Sequence, residues 1–196
     1  FAFDNPWQLG PYFLLAVICA MMAMLYTRTF YGVHALFKRL PGPRLLKPVV
    51  GAFLTGVLGV GLYILFGKER AVLSVLSTGY GVLQDGLANE TALSAGLLLV
   101  VALGKIVTTS LTIGSGGSGG VFGPAMVIGG CSGGAVGSLF HQWWPGLVPH
   151  PATFVIMGMA GFFAAAAKTP FSTLIIVSEM TGDYRLFLPA LWVCAW

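Results

Sequence analysis

Charge is what this sequence has least of. Only 8% of its 196 residues are Asp, Glu, Lys or Arg, against about a quarter in an ordinary soluble domain. Ten basic and six acidic side chains cannot clothe a chain of this length in a water-facing surface. With 57% hydrophobic residues and a mean hydropathy of +0.88, its natural solvent is a bilayer. A cytosolic enzyme, a nucleic-acid-binding module and a disulfide-stapled secreted scaffold are thereby excluded. Carboxylates are scarcer still from Thr91 to Met180, where Glu179 is the sole acid, so a carboxylate site for a cation is missing there. Cysteine is sparse as well. Cys19, Cys131 and Cys194 are odd in number, widely spaced and set in apolar sequence, which reads as buried free thiols rather than a metal site or disulfide framework.

The net charge of +4 and pI near 9.1 would point to nucleic acid in a soluble protein. Here four cations, Lys38, Arg39, Arg44 and Lys47, fall within ten positions between two apolar runs. Such clustering marks a cytoplasmic loop of a multi-pass integral membrane protein. The expected surface partner is the lipid bilayer, and no nucleic acid.

About 20 apolar residues cross a hydrocarbon core as a helix. Gly10 through Leu36, Pro48 to Phe66, residues 91–113 and Val121 to about Trp144 meet that requirement. Pro41-Gly42-Pro43 breaks the chain after the first. Trp143 and Trp144 fit an interfacial aromatic belt. Residues 71–90 are weakly hydrophobic and predict one or two short helices. Pro151–Ala167, Phe171–Thr181 and the run from Tyr184 are too short to cross and are split by Lys168-Thr169-Pro170 and Gly182-Asp183. Broken helices survive at membrane depth only where protein buries them or they line a polar cavity, as in transporter substrate sites. The sequence lacks an initial Met and stops inside LFLPALWVCAW, and we read it as a piece of a larger polypeptide.

Residues 114–124 read GSGGSGGVFGP between two apolar helices. Pro124 fits the first turn of a helix starting near Val121, because its missing N–H would be an orphan anyway. The first amides of that helix lack intrahelical acceptors and carry roughly half a positive charge. A dry helix start without an acidic cap invites an anion; the competing reading is a glycine hinge packed on a neighbouring helix. Two other motifs overlap. Gly114, Gly116 and Gly119 satisfy GxGxxG, but that fingerprint needs a preceding strand. Gly116-Gly117-Ser118-Gly119 fits the GxSG of rhomboid-type proteases, making an intramembrane serine protease using Ser118 the alternative function. Its candidate bases, His141 and His150, lie roughly 30 Å up the helix, and His34 ends the first helix.

GSGGSGGVFGP resembles the GSGxxGGxFxP signature of the CLC chloride channels and chloride/proton exchangers. GKIVTTSLTIGSG, GMAGFFAAAAKTPFSTLIIVSEMTGDY and YRLFLPALW extend the resemblance over nearly the whole chain. It implies an all-α membrane protein with the broken-helix, inverted-repeat CLC-type fold. Residues 1–196 would be its second-half transmembrane region, without the first half and the final helix. About eight helices of unequal length follow, at 8–39, 46–66, 78–88, 92–113, 121–143, 151–167, 170–181 and 184–196. The implied function is passage of chloride or related small anions, as a voltage-gated-type channel or a chloride/proton antiporter, not an enzyme and without a cofactor. By position, the backbone amides of Gly120, Val121, Phe122 and Gly123 would hold chloride, supported by Gly114, Ser115, Gly116, Gly119 and Pro124. The family's first-half serine and gating glutamate have no counterpart here. The resemblance also implies a homodimer with one pore per subunit. Leu174, Ile175, Ile176, Leu186, Phe187, Leu188 and Leu191 would supply its interface.

Other residues have more ordinary readings. Lys105 lies inside a span, where a charge is suspected of a direct ion role, yet snorkelling or pairing with loop carbonyls near the GSG segment serves as well. Glu179 fits a structural role. Gly129, Gly133 and Gly137, with Gly130 and Gly134, repeat at the spacing of close helix packing. The methionines are apolar filler. Asp85 and Glu90 belong to the polar loop region.

Overall fold

A chain solvated by lipid must satisfy its backbone within each segment, and helices do so. The computed structural model describes residues 9–67, 69–88, 94–146, 148, 150–182 and 187–195. Among them are eight α-helices and no strand: α1 (Leu9–Arg39), α2 (Leu46–Leu65), α3 (Tyr80–Ala88), α4 (Ala95–Gly114), α5 (Phe122–Trp143), α6 (Ala152–Ala167), α7 (Pro170–Thr181) and α8 (Phe187–Ala195). A 3-10 helix, Arg70–Val75, precedes α3. The eight expected helices are all present, most within three residues of their expected ends. The difference lies at 71–90, where Gly79 (φ +85°) turns the chain between the 3-10 helix and α3.

Four helices, α1, α2, α4 and α5, are long and apolar enough to cross a membrane. With 31 residues, α1 reaches about 46 Å at 1.5 Å per residue, so it tilts or protrudes from a core about 30 Å thick. Lys38 and Arg39 in its last turn complement the helix dipole. At 16 and 12 residues, α6 and α7 are too short to cross alone. Pro170 opens α7 and Gly182, in the left-handed region, closes it. Lys168 closes α6 at φ +57°, the one non-glycine residue with positive φ among those described. For a side chain this costs about 1 kcal/mol.

The centre of the molecule is the pair α5 and α6. Every residue from Ala125 to Gly137 is buried, as is nearly all of α6. Their contact is made backbone to backbone. A Cβ on Gly129 would strike the Gly158 carbonyl, one on Gly133 the Phe154 carbonyl, and one on Gly158 the Gly129 carbonyl. The four-residue glycine spacing thus forms one stripe facing α6, while Gly130 and Gly134 face Leu83, Val155 and Leu98. In a bilayer, where burial of apolar surface gives no preference for protein over lipid, such close contact supplies the attraction.

The buried hydroxyls of Ser110 and Ser132 are satisfied within their own helices, Ser110 donating to the Ile106 carbonyl at 2.7 Å and Ser132 to Ile128 at 2.7 Å. Cys19 and Cys131 are buried free thiols, and Cys194 is partly buried. Met126 and Met157 fill the core, whereas Met21, Met24 and Met180 are exposed on its surface, the side a bilayer or further protein would cover. Asp85 is exposed; Glu90 lies outside the described residues.

Gly133→Leu should therefore separate α5 from α6, because the opposing atom is backbone and cannot rotate away. The expected cost exceeds about 3 kcal/mol, read as loss of the monodisperse peak on size exclusion in detergent. Gly61→Ala, where an added Cβ meets nothing within 4 Å, should leave that peak intact.

Candidate functional site

The segment joining α4 to α5 divides into two parts with different tasks. Gly116 N–H donates to the Ile113 carbonyl at 3.0 Å and Gly117 N–H to Thr112 at 3.1 Å. With Gly116 at φ +96°, this is a Schellman close of α4. Ser115 Oγ adds a bond to the Thr112 carbonyl at 2.9 Å. Gly114 packs tightly on α1, where an added Cβ would meet Val33 at 3.1 Å, and the Nδ1–H of His34 donates to its carbonyl at 3.2 Å. Gly114, Ser115 and Gly116 thus end one helix and seat it on α1.

The second part starts the next helix. It begins at Phe122, one residue later than expected, because Val121 (φ −90°, ψ −16°) is its N-cap, without a side-chain cap. The first intrahelical bond runs from Ala125 N–H to the Val121 carbonyl at 3.0 Å. Pro124 has no N–H to offer, so Phe122 and Gly123 supply the orphan amides of the first turn. Among the described residues, no protein acceptor bonds the amides of Val121, Phe122 and Gly123. Gly120 lies before the helix, exposed, and a Cβ there would meet nothing within 4 Å. Phe122 packs its ring edge-on against Phe163 of α6, centroids 5.1 Å apart, fixing the first turn against the core.

Two cavities flank this helix start. One, of about 230 Å³, is lined by Val121 and Ala125 with Tyr26 and Phe30 of α1 and Phe163 of α6. The other, about 140 Å³, is bounded by Gly119, Gly120 and Pro124 together with Lys105, Thr108, Thr112 and Ser77. Lys105 is 4% exposed. Its ammonium donates to the carbonyls of Ser74 (3.1 Å), Val75 (3.4 Å) and Ser77. An ammonium has three N–H groups, and all are engaged. Of the roles open to Lys105 in the sequence, pairing with carbonyls is the one realised, but the carbonyls are those of Ser74 and Val75 in the 3-10 helix and Ser77 just after it, not of the glycine segment. Thr108 Oγ1 joins the same Val75 carbonyl at 3.1 Å.

The protease reading finds no constellation. Ser118 is exposed. His141 sits at the far end of the 22-residue α5 and donates through Nδ1 to the Val148 carbonyl at 2.7 Å, while His34 Nδ1 is engaged with Gly114. At the proposed interface the structure makes a correction. Leu174 is fully buried in the chain's own core, because that face of α7 packs inward, so it is unavailable to a second subunit. Ile175 (60%), Leu188 (66%), Phe187 and Leu191 are exposed, and Ile176 is half-buried. Leu186 lies outside the described residues. Tyr26 was not singled out in the sequence, since it is one of three tyrosines along α1; its buried hydroxyl has no partner among the described residues.

Replacing Lys105 by Met should leave the Ser74 and Ser77 carbonyls without this donor and Val75 with Thr108 alone. The expected loss of about 2–3 kcal/mol corresponds to a fall of roughly 5–10 °C in the unfolding midpoint, measured by thermal melting in detergent.

Residues 2–196 match the family model described as voltage gated chloride channel. The H(+)/Cl(-) exchange transporter ClcA of Cronobacter sakazakii is 30% identical over 192 residues, covering 97% of this chain and 39% of that protein. ClcA of Vibrio cholerae serotype O1 is 31% identical over 182 residues, 92% of this chain and 37% of the relative. A solved structure of a slow cyanobacterial Cl-/H+ antiporter superposes with a TM-score of 0.73 at 23% identity, over all of this chain and 43% of that one. The chain therefore spans well under half the length of the relatives it matches, and the shared fold is all-helical with broken short helices. It belongs to the voltage gated chloride channel family.

Proposed function

We propose that residues 1–196 form the second half of the membrane domain of an anion transporter, which moves chloride as a channel or as a chloride/proton antiporter. The observation that carries this reading is the uncapped start of α5. The amides of Val121, Phe122 and Gly123 have no protein acceptor among the described residues, and cavities lie on both sides. With Gly120 they present partial positive charge to a partly dehydrated anion. Gly119, whose missing side chain lines the smaller cavity, and Pro124 shape that end. The nearest buried cation, Lys105, has its three donors on carbonyls, so the anion meets dipoles rather than a full charge. That balance favours transport, because an ion held by amides can also leave. No bond of the cargo is made or broken, so the protein acts as a transporter and not as an enzyme, and needs no cofactor. The activity its relatives are named for, H(+)/Cl(-) exchange, supports chloride as the cargo.

The test is chloride efflux from vesicles containing the complete protein, with proton movement recorded in parallel to separate antiporter from channel. One residue inserted between Gly119 and Gly120 re-aims the amides and should cut anion binding on the order of tenfold, about 1.4 kcal/mol. Phe122→Ala keeps the amide and should retain binding. Crystals soaked in bromide should give an anomalous peak within about 3.5 Å of these nitrogens. Peaks only beside basic side chains would refute the assignment.

The exposed Ile175, Leu188 and Leu191 support a homodimer in which each subunit keeps its own pore. Leu188→Trp should weaken cross-linked dimers in detergent more than Met24→Trp on α1; equal yields would count against that interface.

A further inference from the structure

Lys105 presents a charge problem that its hydrogen bonds leave open. The carbonyls of Ser74, Val75 and Ser77 occupy its three N–H groups, but carbonyls are neutral. Among the described residues no carboxylate bonds the ammonium. At 4% exposure inside a span, a net positive charge without a counter-charge is costly. The cavity of about 140 Å³ beside it has no Asp or Glu in its wall either.

That wall carries a second irregularity. Lys105, Thr108, Thr109 and Thr112 share one face of α4, at positions i, i+3, i+4 and i+7, and all four line the cavity. Thr108 donates to the Val75 carbonyl at 3.1 Å and Thr112 to the Thr108 carbonyl at 2.8 Å. Thr55 of α2, which also lines it, donates to the Gly51 carbonyl at 2.9 Å. Of these four threonines only Thr109 has a hydroxyl without a partner among the described residues, although the residue is just 6% exposed. Its oxygen is not sealed as that of Tyr26 is; it opens on the cavity that Thr109 lines. Gly119 reaches the same cavity from the glycine segment, and its amide likewise bonds no acceptor among the described residues. A free hydroxyl and a free amide thus border the same space as an uncompensated ammonium.

We propose that this cavity is a resident anion site, taking one partly hydrated chloride as the counter-ion of Lys105, with the Thr109 hydroxyl and the Gly119 amide as its donors. The cavity is several times the roughly 30 Å³ share of one water, so chloride enters with a water or two. Those waters donate to the lone pairs that Thr55 and Thr112 keep free. A metal cation is repelled by Lys105, and water alone leaves the charge uncompensated. Lys105 stands one turn before Thr109, about 6 Å between Cβ atoms, near enough to attract the ion by charge without bonding it. The inference goes beyond the transport reading. This ion stays in place and stabilises the packing of α4 against α2 and the 3-10 helix, whether or not an ion at the α5 amides moves.

The complete protein, purified in detergent with gluconate as its anion, is crystallised, soaked in graded bromide, and melted as chloride replaces gluconate at constant ionic strength. An anomalous peak is expected within about 3.5 Å of Thr109 Oγ1, separate from any at Val121 to Gly123. The melting temperature should climb with chloride and level off as the site fills. Thr109→Val keeps the shape and removes the hydroxyl. It should raise the half-saturating bromide of the Thr109 peak about tenfold, keep any peak at the α5 amides, and shrink the chloride gain in melting temperature. Lys105→Met should shrink that gain as well, since no charge remains to be compensated. The proposal is overturned by the lack of a bromide peak at Thr109, or by a carboxylate of the rest of the polypeptide seated there. A flat melting temperature as chloride replaces gluconate also overturns it, as does a Thr109→Val variant with the parent's peak and gain. Failure of chloride flux in vesicles would sink the transport reading and leave this site standing.

Discussion

The contact on which this structure depends is the touching of backbones between α5 and α6. Lipid is as apolar as leucine, so two helices gain little by hiding apolar side chains from it, and attraction must come from close packing. Gly129, Gly133 and Gly158 remove the side chains that would hold the axes apart. Once α5 is clamped in this way, its N-terminal turn has a fixed place in the protein, with Phe122 pinned on Phe163. Glycines two and three turns into α5 thus set the position of the amides at its start, which no side chain could aim.

That constraint also explains how one glycine-rich stretch serves two purposes. Its first residues complete the hydrogen bonding of α4, with Gly116 in a conformation that other residues resist. Its last residues do the opposite and leave donors open. Nearby, Lys105 binds three carbonyls that the 3-10 helix and its loop leave unpaired. Among the described residues the Tyr26 hydroxyl is the one buried side-chain polar atom without a partner, and an unmatched polar group away from water is costly. The open amides at the start of α5 lie nearer the surface, Val121 being 48% exposed.

The short helices follow from the same physics. Chain reversals at Lys168-Thr169 and Gly182 break α6, α7 and α8 into pieces too short to cross a bilayer, and such irregular backbone is stable only against protein or a polar cavity. The α6 break borders a groove, and it carries a lysine where a glycine would be less strained.

Much of this was legible in the residues. Scarce charge, four long apolar runs and the Pro and Gly breaks specified a membrane protein of broken helices, because hydrophobic length and backbone chemistry are local properties. GSGGSGGVFGP marked the uncapped helix start for the same reason, and the four-residue glycine spacing announced close packing. Which glycines end α4 and which precede α5 was not legible, since adjacent glycines look alike until hydrogen-bond partners are known. Nor was the fate of Lys105, whose three acceptors lie about thirty positions upstream in sequence. The inward turn of Leu174, set beside exposed Ile175, was equally hidden, because a helix apolar all round gives no signal of which face meets its neighbours. The sequence by itself determined the solvent, the helices and their breaks. Only the tertiary structure decided which polar groups meet, because in an apolar chain the pattern that separates core from surface is absent, and contacts between distant segments alone assign partners.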